Sequence, residues 1–213
     1  MRSLQRSATR VYAALGAQFT ALTALVVFEE IRGRRLAVEI ASFGGDPDAP
    51  GARAVVGAVT IFAVLMMVTV AATIVAAGMY LAWLHRARPG SSAASVLAGC
   101  LLPGVNLVLP PLLADWAWQD AESEDRGRWL LLLSAWWASW LTALWLVLSG
   151  LTGSSGLTGI GPTELLAVGL SAILCATTVR EITANHSKHP TSQPAFPIGR
   201  SFSPSGALEA PME

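Results

Sequence analysis

Charge is what this chain has least of. Only 13% of its 213 residues are Asp, Glu, Lys or Arg, and lysine occurs once, at Lys188. A soluble domain carries about 25% charged residues, so this composition excludes an ordinary water-soluble surface. Cysteine is almost as scarce. Cys100 and Cys175 both sit in apolar segments, which excludes a disulfide framework or a zinc cluster and predicts two buried, reduced thiols. The formal net charge is +0, so nothing global points to nucleic acid. No P-loop, Rossmann fingerprint, nucleophile elbow or HExxH motif is present, and there is no internal repeat. His186 and His189 in NHSKH stand without further ligands and do not make a metal site. No catalytic residue, cofactor or metal is therefore assigned.

What the chain does have is apolar length. Hydrophobic residues make up 53% of it, and mean hydropathy is +0.53. Ala, Gly, Leu, Arg and Val crowd out Lys, Ile and Asn, a usage associated with GC-rich bacterial genomes. A basic start, MRSLQRSATR, precedes a charge-free run over 11–28. Phe28, Glu29, Glu30 and Ile31 follow where a signal peptide would show a small-residue cleavage site, so the first helix is read as retained, over about 11–31. Residues 55–84 exceed the roughly 20 needed to cross a bilayer, and Tyr80 and Trp83 near their end read as interfacial anchors. Further spans are expected over 129–149 and 163–182. The proline- and serine-containing stretch 183–213 reads as a disordered cytoplasmic tail. The expected fold class is thus all-α, an integral membrane helical bundle of four transmembrane helices.

One apolar stretch, 93–118, is broken in its middle by Pro103, Gly104, Asn106, Pro110 and Pro111. Backbone freed from helix survives at membrane depth only where protein or water covers it. The stretch is therefore read as a re-entrant or interfacial segment. Pro110 and Pro111 suit the first turn of a short helix. That helix would set Asp115, Gln119 and Glu122 on one face, with Leu113, Trp116 and Ala117 opposite. Counting positive residues over short loops favours four spans with both termini in the cytoplasm, at the inner (plasma) membrane. Ten then lie inside, including Arg2, Arg6, Arg10, Arg86, Arg88 and Arg180, and four outside, Arg32, Arg34, Arg35 and Arg53.

The candidate polar pocket or turn is Pro103, Gly104, Asn106, Pro110 and Asp115. Asn106 either pins the turn or joins freed carbonyls in lining a pocket. His85, Arg86 and Arg88 form an interfacial basic collar suited to lipid phosphates. Asp115 and its acidic neighbours could pair with Arg86 and Arg88. Trp129 suits the interface, while Trp136, Trp137 and Trp140 fall mid-span and read as core or lipid packing. Ala167, Ser171 and Cys175 recur every four residues, a small-residue stripe that lets helices approach closely, within the bundle or in a homo-oligomer.

From Tyr80 onward the order of features resembles a family of bacterial membrane proteins catalogued as domain of unknown function 4328. Its W-x-x-R, P-x-x-N-x-x-x-P and tryptophan-rich elements look like Trp83–Arg86, Pro103–Asn106–Pro110 and Trp136–Trp137 here, over about residues 55–182. The resemblance implies a membrane fold and no reaction. Three readings follow: a noncatalytic scaffold or modulator of a membrane partner, a small transporter or channel subunit using 93–118, and a lipid-acting enzyme pairing Asp115 with His85. The partners expected are membrane lipids and a homo-oligomer or second membrane protein, with no nucleic acid.

Overall fold

The computed structural model describes residues 2–42, 52–87, 109–119, 125–153 and 157–188. Among them nearly every residue is helical and no strand occurs. The elements are α1 (Arg2–Phe28), a π-helical turn (Glu29–Gly33), α2 (Arg34–Ser42), α3 (Ala52–Ala87), α4 (Leu109–Gln119), α5 (Arg126–Gly153) and α6 (Pro162–Lys188). Four helices are long and apolar enough to cross a membrane: α1 with its continuation through α2, then α3, α5 and α6. The expected spans all lie within them. Charge-free runs allow this, because a helix is the one local structure that satisfies its own backbone in lipid.

α1 is the central element. It packs along α3 on one side and α6 on the other, and α6 in turn packs against α5. The chain's two helical ends, the last turns of α3, the start of α5 and the short α4 all gather at one end, hereafter the basic end. Its core joins Val11, Trp83, Leu84, Leu113, Trp118, Trp129, Trp136 and Val179. A second core, around Leu22, Leu25, Val26 and Ile160, closes the opposite end. Between Arg10 and Glu29, α1 carries 18 uncharged residues, a rise of about 27 Å at 1.5 Å per residue, close to the ~30 Å of a hydrocarbon core.

The structure departs from the sequence reading at several boundaries. α6 runs to Lys188, so 183–188 is helix rather than tail. Ile182 is fully buried, Glu181 pairs with Arg128 at 3.6 Å, and these contacts hold the added turns. α1 begins at Arg2, because Ser7 and Ala8 are buried against the bundle. The small-residue stripe is internal here: Ser171 and Cys175 are both buried, and an added Cβ on neighbouring Gly169 would come within 2.9 Å of the Phe19 ring on α1.

Candidate functional site

Two polar centres stand out, one at each end of the bundle. At the basic end, α4 begins with Pro110 and Pro111 in its first turn, as expected of residues without an N–H to offer. It buries Leu113, Ala114, Ala117 and Trp118. Trp116, expected on the apolar face with Leu113, points outward at 42% exposed. Trp118 replaces it, because its ring stacks on Trp129 at a centroid distance of 5.2 Å. Trp129 is accordingly buried rather than an interfacial anchor.

Asp115 ties this arrangement together. Its Oδ1 accepts the Trp129 indole N–H at 3.0 Å, and its Oδ2 accepts from the Gln119 amide and lies 3.5 Å from the Arg126 guanidinium. One carboxylate thus fastens α4 to the start of α5. Neither His85 nor Arg86 is among these described partners. His85 and Arg86 are exposed at the end of α3, and the Arg86 guanidinium donates to Ser7 Oγ at 3.1 Å. Among the described residues no direct hydrogen bond or ion pair joins Asp115 to His85. Pro103, Gly104, Asn106, Arg88 and Cys100 lie outside the described residues. Asp115→Ala should release α4, with a loss of about 2 kcal/mol for hydrogen bonds to a charged acceptor. Asp115→Asn, which keeps an acceptor for Trp129, should lose less. Equilibrium unfolding in detergent reads the difference, and an Asp115→Ala protein as stable as wild type would remove this role.

Trp83 also differs from expectation. It is fully buried, not an interfacial anchor, and its indole N–H donates to Thr183 Oγ1 on α6 at 3.3 Å. The Thr183 hydroxyl donates onward to the Val179 carbonyl at 2.7 Å. Tyr80 sits over Trp136 at 5.8 Å, joining α3 to α5. The mid-span Trp137 and Trp140 stack at 4.9 Å. Within the resembling motifs, then, Trp83, Arg86 and Trp136 serve contacts between helices.

The second centre was not singled out from sequence. Glu29 opens the π-helical turn, in which Arg34 N–H reaches back five residues to the Glu29 carbonyl. Such a turn inserts one residue into the helical ladder and shifts everything after it around the axis. Here Glu29 faces inward and is 4% exposed. Its Oε1 accepts the backbone N–H of Leu157 at 2.6 Å and of Thr158 at 3.3 Å. Its Oε2 is buried and makes no hydrogen bond. Glu30 and Arg34 instead pair on the outside at 3.1 Å, and Arg32 grips Glu39 through both guanidinium nitrogens.

The loop that Glu29 holds is shaped to receive it. Gly159 has φ 70°, a left-handed conformation that favours glycine. Thr158 Oγ1 accepts the Ile160 N–H at 3.2 Å, and Glu164 on the first turn of α6 accepts the Gly161 N–H at 2.8 Å. Gly150 on α5 lets the loop approach, since a Cβ there would lie 2.7 Å from the Gly159 carbonyl oxygen. The available signals in the sequence were an acid within a turn of a charge-free run and a glycine-rich loop. Neither names its partner across 128 positions of chain.

Comparisons with protein-family models, with curated proteins and with solved structures find no match.

Proposed function

We propose that this chain is a multi-pass membrane protein that acts as a noncatalytic scaffold or modulator, docking a second transmembrane helix along α3. The exposed surface of α3 carries this reading. Only 6% of its most apolar stretch is buried, against 17% to 28% in the other three long helices. Val64, Met67, Val70 and Ile74 are open. Gly57 and Gly78 have free space where a Cβ would stand, and small residues let a neighbouring backbone come close in lipid. Its threonine hydroxyls are spent on its own backbone: Thr60, Thr69 and Thr73 each donate to the carbonyl four residues earlier. What remains is a smooth apolar flank supported along one side by α1.

In this reading both termini lie in the cytoplasm and the broken segment 93–118 enters and leaves on one side. Support comes from Ala87 before it and Leu113 within it, which share the basic-end core, and from the excess of arginine there. A photo-crosslinking residue placed at Ile61, Met67 or Ile74 tests the proposal, with exposed Leu141 on α5 as the comparison. A discrete protein adduct, to another copy or to a different membrane protein, is expected at the α3 positions and not at Leu141. Lipid adducts alone at every position would overturn it.

A further inference from the structure

A groove of about 370 Å³ opens at the basic end between α1 and α6. The two helices run antiparallel, and each contributes one face at helical spacing: Gln5, Thr9 and Tyr12 from α1, Arg180, Thr183 and Ser187 from α6. Residues three and four apart share a face, so the groove is a continuous trough along the helix pair. We infer that this trough binds the phosphate headgroup of an anionic membrane lipid, with Arg180 as its charged anchor.

Depth is the first argument. Tyr12 stands just inside the charge-free run of α1 that starts after Arg10, and Arg180 closes the charge-free run 165–179 of α6. The trough therefore straddles the level at which both helices pass from apolar to polar sequence, where a lipid headgroup meets its chains. Tyrosine is favoured at that depth.

Charge is the second. Two carboxylates near this end are engaged elsewhere: Asp115 with Trp129, Gln119 and Arg126, and Glu181 with Arg128. No ion pair among the described residues includes Arg180, which is exposed along the trough. A planar guanidinium offers two parallel N–H donors to phosphate oxygens.

The polar lining is the third. His186 Nδ1 lies 3.0 Å from the Ile182 carbonyl, which can only accept, so this nitrogen is committed as a donor to its own helix. The Thr9, Thr183 and Ser187 hydroxyls already donate to their own helix backbone. The Tyr12 hydroxyl and the Gln5 amide remain as neutral donors around Arg180. Ala8 and Leu4 supply an apolar floor that a free phosphate would not use but a glycerol backbone would.

The test is lipid retention by the full chain purified in mild detergent, read by native mass spectrometry after equilibration with phosphatidylglycerol, phosphatidylcholine or inorganic phosphate. Wild type should retain phosphatidylglycerol in preference to phosphatidylcholine. Arg180→Gln should cut that retention at least about fivefold, the loss of a single charge-assisted contact of ~1 kcal/mol or more. Arg34→Gln, at the opposite end, should leave it unchanged. Arg180 is exposed, so its variant should keep the wild-type unfolding midpoint. Equal retention of the two lipids, equal loss in both variants, or displacement of phosphatidylglycerol by millimolar inorganic phosphate would each overturn the assignment.

Discussion

Glu29→Ala is expected to free the 157–161 loop and to cost about 3 kcal/mol. It removes the shared acceptor of two backbone N–H groups, and a donor left without its partner costs about 1–3 kcal/mol. The Leu157 and Thr158 amides would be left to find water at the end of the bundle. The unfolding midpoint in detergent should fall, and limited proteolysis should cut the loop between α5 and α6 faster. Glu29→Gln keeps an amide oxygen for the same donors and should lose less than half as much. Gly33 supplies an internal check. A Cβ on Gly33 would stand 2.8 Å from Glu29 Oε2 and 2.9 Å from its Cδ, and that carboxylate is pinned by the loop. Gly33→Ala alone should destabilise the protein, yet add almost nothing in a Glu29→Ala background, where the clash is gone. Contacting residues are non-additive in this way. Full additivity, or a Glu29→Ala protein with wild-type stability and protease resistance, would refute the latch.

Trp83→Ala should be comparably damaging. The side chain is fully buried among α1, α3, α4 and α6 residues of the basic-end core, and its truncation leaves a cavity. Large-to-small changes of this kind cost about 3–5 kcal/mol. In lipid the loss arises from forfeited van der Waals contact rather than from exposure to water. Trp83→Phe, which fills most of the space but cannot donate to Thr183 Oγ1, should cost about 1 kcal/mol. Thr183→Val added to Trp83→Phe should then cost little more. Equilibrium unfolding of the four proteins decides it: a Trp83→Ala loss below about 1 kcal/mol would show that the basic end does not depend on this ring.

The two residues also show where a one-dimensional reading stops. A tryptophan in the last turns of an apolar helix has the same sequence signature whether it faces headgroups or a neighbouring helix. For Trp83 the choice was made by Thr183, and for Trp129 by Trp118 and Asp115. Trp116 and Trp118 on α4 are two positions apart, about 200° around the helix, so the face that α4 docks decided which one turned inward. The end of α6 was misplaced for a related reason. Residues 183–188 are polar, but Ile182 and the Arg128–Glu181 pair brace the helix beyond its apolar run.

The four long helices and the scarcity of polar chemistry within them were legible from composition and run length alone. Lipid as solvent obliges each apolar run to satisfy its own backbone, and that constraint acts on local sequence. Glu29 belongs to the other class. Its inward orientation requires the π-helical turn, and its two donors sit on a loop that only the docking of α6 against α1, with α5 against α6, brings into reach. Hydrogen bonding of a single carboxylate is a short-range interaction between distant parts of the chain, so tertiary structure decided it.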